Sequence, residues 1–317
     1  MIEVQVVAVR EEGEHLRSFE LRRTDGGALP TFEAGAHIDV QLPGKLTRQY
    51  SLCNAPHETH RYLICVLRES ASRGGSEAMH ALAEGGVLTI SAPRNLFALH
   101  PAPAYSLLFA GGIGITPLIA MAEHLARNGR SFELHYSARG PGRAAFLERL
   151  RAAPWGDRVH LHFDDGPAHL RLDVAQALAA APDGAHLYVC GPAGFIDHVF
   201  QAAEASGWDP ARLHREYFSA APSPVDAGEQ SFEVQVASSG EVHTIPPGRS
   251  IAQVLDEAGV FVPVSCEQGI CGTCVTAVLE GTPDHRDQFL SADEHARNDQ
   301  ITLCCSRARS ARLVLDL

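Results

Sequence analysis

The sequence predicts a multi-domain chain with three architectures in series: an antiparallel β-barrel or sandwich, a parallel-sheet α/β domain, and a small α+β domain holding most of the cysteines. Three observations predict it. Short alternating strands fill residues 2 to about 100, strand–helix alternation follows from about 104 to 218, and Cys266, Cys271, Cys274 and Cys304 punctuate the remainder. A chain of 317 residues is long enough for two or three domains with proper cores.

In the first part, IEVQVVAV, HLRSFELR, HIDVQL, RYLICVLR and VLTISAP read as strands, separated by turn clusters such as TDGG and LPGK. In the second, YSLLFAGG leads into TPLIAMAEHLARNG, FELHYSAR into AAFLERLRAA, VHLHFDD into VAQALAAA, and LYVCGP into FIDHVFQAAEASG. Repeated βα units imply a parallel sheet covered by helices. SAAPSPVDAGEQ is small, apolar-poor and contains Pro, which reads as a linker. FEVQVASSGEVHTI then suggests a hairpin and IAQVLDEAG a helix before the cysteines. The expected domains are 1–103, 104–220 and 231–317, with 221–230 between them.

Cys266-x4-Cys271-x2-Cys274, followed by Cys304, has the spacing of plant-type [2Fe–2S] ligation. Glycines at 269 and 272 allow a loop to turn its N–H groups toward sulfide. Zinc favours two separated short-spaced pairs, and a triplet plus one distant Cys fits it less well. A one-electron centre is expected in this last part. Cys304 and its neighbour Cys305 compete for the fourth position, and adjacent strand side chains face opposite ways.

Composition removes several classes of function. The formal charge of −12 disfavours nucleic acid. Residues 231–317 carry twelve Asp/Glu against six Arg and no Lys, so half of the excess negative charge lies near the cysteines. Such a surface could steer a basic redox partner or simply keep the chain in solution. No apolar run approaches the ~18 residues of a membrane helix. The N-terminus is acidic where a signal peptide is basic, so the cytoplasm is the expected compartment.

Two turns have the form of nucleotide loops. AGGIGITP, residues 110–117, follows an apolar strand and opens a helix, where a pyrophosphate can approach backbone and helix dipole. Cys190-Gly191-Pro192 occupies the same position after a later strand; Cys190 by itself reads rather as a buried core residue before a loop glycine and a helix-starting Pro. In the first part, Arg48-Gln49-Tyr50-Ser51 offers a cation, a stacking ring and a hydroxyl, and Gly74-Gly75-Ser76 opens a helix. The histidines at 57, 60, 160, 162 and 285 show no ligand-like company and read as surface or packing residues.

RQYSLCN, SRGGS, AGGIGITP, VCGP, EYF, CEQGICGTC and LCCSRARSARLVLDL occur in this order along essentially the whole chain. That ordered set resembles the phthalate dioxygenase reductase family. The resemblance implies a flavin-binding β-barrel, an NAD-binding α/β domain and a C-terminal β-grasp ferredoxin domain. It implies FMN held by Arg48 and by Gly74, Gly75 and Ser76 at the phosphate, with Tyr50 on the isoalloxazine and Ser51 near N5. The backbone of Cys65-Val66-Leu67 would face the pyrimidine edge, Thr116 would touch both flavin and nicotinamide, and Phe218 would lie beside the ring. Leu67 stands where the phthalate enzyme has Lys, which removes any side-chain role there. NADH would bind at Gly111, Gly112, Gly114 and the Cys190-Gly191-Pro192 loop, with Glu216 beside Phe218 stabilising the nicotinamide. Ser51, Thr116, Cys190 and Glu216 would thus border the reacting centre. Cys304 aligns as the fourth ligand, and Asp284-His285-Arg286-Asp287 as a structural run.

The implied activity is that of an NADH-dependent reductase component. It passes electrons through FMN to its own [2Fe–2S] cluster and on to a Rieske-type aromatic oxygenase or O-demethylase, as a monomer in the cytoplasm. The alternatives are an NAD(P)H-dependent reductase of a ferredoxin or cytochrome, and a ferredoxin with a degenerate upstream region, which intact RQYS and GGIGITP oppose. Arg139, after the second α/β strand, could meet a 2′-phosphate and so bears on NADH against NADPH.

Overall fold

A computed structural model describes residues 1–101, 104–219 and 229–317. They form two compact units, Met1–Phe218 and Ser219–Leu317. Most of the expected linker, and residues 102 and 103 at the first expected boundary, lie outside the described residues.

The first unit begins with strands β1 (Ile2–Gly13), β2 (Leu16–Arg23), β3 (His37–Leu42), β4 (Leu46–Ser51), β5 (Tyr62–Leu67) and β6 (Val87–Ile90), with helix α1 (Gly75–His80) before the last. They make one antiparallel sheet in the order β4-β3-β6-β1-β2-β5. Val4, Val6, Phe19, Leu21, Ile38 and Val40 are fully buried at every second position, so the inward face follows the two-residue period of a strand. β4 and β5 are the hydrogen-bonding edges of this sheet, and they lie against each other with α1 packed on both. β4 was not among the expected strands. Five of its six residues are half-buried, so it lacks the alternation that reveals a strand.

The same unit continues with β7 (Tyr105–Gly111), α2 (Ile115–Arg127), β8 (Ser131–Ala138), α3 (Leu147–Ala152), β9 (Val159–Phe163), α4 (Val174–Ala180), β10 (His186–Cys190), α5 (Ala193–Ala205) and β11 (Leu213–Glu216). The sheet is parallel, ordered β11-β10-β7-β8-β9. Leu108 and Tyr136 join the core under α2, whereas Leu107 and Val189 pack under α4 and α5, so both faces are covered. Strand order reverses between β7 and β10. Ligands of open α/β sheets bind at such a switch point, beyond the C-terminal strand ends.

The second unit holds β12 (Phe232–Val236), β13 (Val242–Ile245), α6 (Ile251–Glu257), β14 (Val275–Glu280), β15 (Pro283–Asp284), α7 (Ala292–Arg297), β16 (Gln300–Thr302), β17 (Arg307–Ala308) and β18 (Arg312–Leu315). A mixed sheet, β13-β12-β18-β14-β16, carries α6 on a core that includes Val234, Ile251, Leu255 and Leu313. Capping boxes start both helices, Ser250 with Gln253 and Ser291 with Glu294; such a cap is worth about 1 kcal/mol. The architecture is the predicted one: an antiparallel barrel, a parallel α/β sheet and a small α+β fold. No helix among the described residues is long and apolar enough to cross a membrane.

Candidate functional site

At the switch point the β7–α2 and β10–α5 turns touch backbone to backbone. A Cβ on Gly114 would stand 2.1 Å from the Cys190 carbonyl oxygen, and one on Gly191 would stand 2.9 Å from the Gly111 Cα. A Cβ on Gly111 would meet the Phe195 ring at 2.8 Å. Three of these glycines therefore serve loop-on-loop packing. Gly112, with φ of 54° and open space where its Cβ would be, is the one that faces outward. Thr116 is buried just beyond, its hydroxyl donating to the Ile113 carbonyl at 3.0 Å.

Cys190 and Glu216 are register partners at the ends of β10 and β11. The Cys190 thiol is fully buried, and desolvation, reinforced by Glu216, pushes it well above its ordinary value. Glu216 is half-buried as a residue, yet its Oε2 has no accessible surface and no hydrogen-bond partner among the described residues. Desolvation pushes its carboxyl up from 4.5 to about 8, so at neutral pH it carries a proton. Between these two values the native state holds a proton that the unfolded chain has lost. Folding stability therefore falls as pH rises across that window, by on the order of 3 kcal/mol at pH 7. Glu216→Gln is expected to flatten this slope in urea melts compared between about pH 5 and about pH 8. Parallel pH profiles for the two proteins would refute it.

The edges of the barrel carry the second group. Arg48, on β4, donates to the Thr47 carbonyl at 2.8 Å and the Arg73 carbonyl at 3.0 Å. A Cβ on Gly75 would lie 2.6 Å from the Arg48 Cγ, so Gly75 is what lets the guanidinium lie across the start of α1. Ser72 accepts from the Gly74 N–H at 3.1 Å and from the Ser76 hydroxyl at 3.0 Å, which sets the turn. Tyr50 is half-buried and Ser51 buried on β4, while Cys65 and Val66 are buried on β5 with Leu67 partly exposed. The Val66 carbonyl lies 3.0 Å from His80 Nε2, a contact that the sequence did not disclose. Phe218 ends this unit with 37% exposure, and Pro192 caps the start of α5.

The third group lies in the second unit. The loop 265–274 passes through positive φ at Glu267 (56°), Gly269 (71°) and Gly272 (68°). Cβ atoms on those glycines would strike Cys305 Sγ at 2.5 Å and the Phe289 ring at 2.2 Å. The Gln268 N–H donates to Cys266 Sγ at 3.3 Å. Cys271 and Cys304 hydrogen-bond to Cys266 and hold its thiol far down, while Cys304 is pushed far up by Cys266 and then Cys274. The four sulfurs are therefore linked through Cys271–Cys266, Cys266–Cys304 and Cys304–Cys274, with Cys266 and Cys274 held down and Cys271 and Cys304 pushed up. Cys305 instead lies 3.3 Å from the Thr302 hydroxyl and 3.9 Å from that of Ser306. The donor set, three buried thiols in a loop bent to turn N–H groups inward and the half-buried Cys304 thiol beyond it, fits a [2Fe–2S] cluster. The Asp284–Asp287 run braces this loop: Asp287 accepts from the Phe289 and Leu290 N–H groups, and the Gln288 N–H donates to the Gly269 carbonyl at 2.9 Å.

The reading of the histidines is corrected for His160, His162 and His285, whereas His57 and His60 are exposed as expected. Neighbouring parallel strands bring His135, His160 and His162 to one face, stacked at 4.7 and 5.3 Å, and His285 stacks on His295 at 4.3 Å. Linear sequence hides the β8–β9 company, because His135 lies about 25 residues from its partners on the neighbouring strand.

Comparisons with known proteins agree with this arrangement. Residues 234–309 match the family described as a 2Fe-2S iron-sulfur cluster binding domain. The vanillate O-demethylase oxidoreductase of a Pseudomonas species is 56% identical over 318 residues, covering 100% of both chains. The phthalate dioxygenase reductase of Burkholderia cepacia is 42% identical over 304 residues, covering 95% of this chain and 92% of that one. A solved phthalate dioxygenase reductase, described as a modular structure for electron transfer from pyridine nucleotides to [2Fe-2S], superimposes with a TM-score of 0.79 at 39% identity. That match covers 100% of this chain and 98% of the other.

Proposed function

The chain belongs to the phthalate dioxygenase reductase family, and on that premise we propose how its own residues carry electrons from NADH to an oxygenase. It is an oxidoreductase, the reductase component of an oxygenase system, working through FMN and its own [2Fe–2S] cluster. The observation that carries the reading is the presence in one chain of three fitted sites: the Arg48–Gly75 cradle, the switch-point loops and the four-sulfur loop. When bound, FMN supplies the conversion of a two-electron hydride into single electrons, and the cluster carries them one at a time.

Arg48 and the N–H groups of Gly75 and Ser76 would hold the flavin phosphate, with Gly74, its own N–H given to Ser72, shaping the turn. Tyr50 and Ser51 on β4, the edge backbone of Cys65, Val66 and Leu67 on β5, and Phe218 would hold the flavin ring. Gly111, Gly112, Gly114 and the Cys190-Gly191-Pro192 turn would hold the nucleotide, with Thr116 beside them. Glu216, protonated at its buried carboxyl, is a hydrogen-bond partner for the nicotinamide amide, and Cys190 shapes the pocket as a neutral thiol. Cys266, Cys271, Cys274 and Cys304 ligate the cluster. Removing the guanidinium in Arg48→Ala is expected to weaken FMN by roughly 10–100-fold, the worth of one charge-assisted hydrogen bond. Flavin fluorescence on dilution measures it, and unchanged retention would remove Arg48 from the site.

The partner is a Rieske-type aromatic oxygenase or O-demethylase, met by a monomer in the cytoplasm. Reconstitution tests this. NADH oxidation coupled to demethylation by a vanillate-type Rieske oxygenase is expected to outpace electron delivery to a ferredoxin or cytochrome c. Faster delivery to either of those acceptors would point instead to a general NAD(P)H reductase.

A further inference from the structure

We propose that Glu133, His135 and His160 form a binding site for a divalent transition metal of the zinc class, stitching the edge strand β9 to β8. Glu133 Oε2 lies 3.6 Å from His135 Nε2 and 3.7 Å from His160 Nε2, and the three ligand atoms all lie within 4.8 Å of one another. A tetrahedral ion with bonds near 2.1 Å separates its ligands by about 3.4 Å, so each imidazole nitrogen needs to close on the carboxylate by only a few tenths of an ångström, while the two rings, stacked at 4.7 Å, turn to bring their lone pairs onto one ion.

The hydrogen-bond chain behind the site decides what belongs in it. The Leu170 carbonyl can only accept, so His162 Nδ1, 3.1 Å away, carries the proton. Neutral His162 then presents a bare Nε2, which must accept from His135 Nδ1 at 3.1 Å. Neutral His135 is left with a bare Nε2 facing the Glu133 carboxylate: lone pair against lone pair. Nε2 of His135 and of His160 both have no accessible surface and no hydrogen-bond partner among the described residues. A cation shared by three donors satisfies all of them.

The surroundings are those of a metal site. A ligating imidazole donates its second nitrogen to an outer acceptor, as His135 does to His162. Phe109 stacks on His135 at 5.2 Å and walls the inner side, while the half-exposed His160 ring leaves a path for entry. The site lies at the β8–β9 side of the sheet, away from the β7–β10 switch point, so its role is to hold the edge rather than to touch the nucleotide.

Equilibrium dialysis of the holoenzyme, its cysteines already filled with iron, against Zn²⁺ tests the proposal. One zinc per chain beyond the iron is expected, with affinity falling at least ~10-fold in both His160→Gln and Glu133→Gln. Unaltered flavin and iron absorption shows that each variant has folded. His57→Gln, remote from the site, is expected to bind as the unmodified protein does. No saturable binding below roughly 1 mM Zn²⁺, or full affinity retained in either site variant, would overturn it.

Discussion

Cys304→Ser is expected to abolish the iron–sulfur centre, while Cys305→Ser leaves it standing. The two thiols lie in a turn rather than on a strand and touch each other, but their other company differs: Cys304 also hydrogen-bonds to Cys266 and Cys274, whereas Cys305 also meets Thr302 and Ser306. Serine is a poor ligand for iron, so the Cys304 variant should lose its iron. Electron delivery to one-electron acceptors beyond the flavin should then fall by ~100-fold or more, with NADH reduction of the flavin intact. The Cys305 variant should retain both iron and turnover. Iron content and acceptor assays on the two proteins decide the matter. Loss of the cluster in Cys305→Ser with retention in Cys304→Ser would exchange their roles.

The second large effect concerns Gly114. An added methyl would stand 2.1 Å from the Cys190 carbonyl oxygen and 2.6 Å from the Gly191 nitrogen, both backbone atoms that cannot rotate away. Gly114→Ala must therefore prise the two switch-point turns apart, at a cost of about 3 kcal/mol. In a unit of this size that is a fall in Tm of about 6–12 °C. Gly112→Ala meets no neighbour and suffers only from its φ of 54°, about 1 kcal/mol. Thermal melts of both variants measure the contrast. Equal losses would show that the turns are not packed as described.

The two sites were legible in the sequence to different degrees. Cysteine spacing reveals a ligand set because a cluster imposes its own geometry on a short loop. The βα units were legible because buried parallel strands are continuous apolar runs, as in YSLLFA. β4 and β11 escaped because both are edge strands with few apolar residues, LTRQYS and LHRE, so no alternation marks them. The glycines of AGGIGITP read as room for a pyrophosphate, but Gly111 and Gly114 are spent on close approach to neighbouring protein, and only Gly112 opens outward. Burial of the Glu216 carboxyl without a partner has no linear signature, since it depends on what β10 and the surrounding chain leave uncovered. The stacked histidines of β8 and β9 were missed for a related reason: strand register, not spacing, makes them neighbours.

The central claim is a relay within one chain, and an anaerobic visible titration of the purified holoenzyme with NADH tests it most directly. Flavin bands near ~450 nm are expected, together with broad thiolate-to-iron absorption, both bleaching as NADH is added. Flavin bleaching with no iron absorption to follow it, or an iron band that NADH leaves untouched, would contradict the relay.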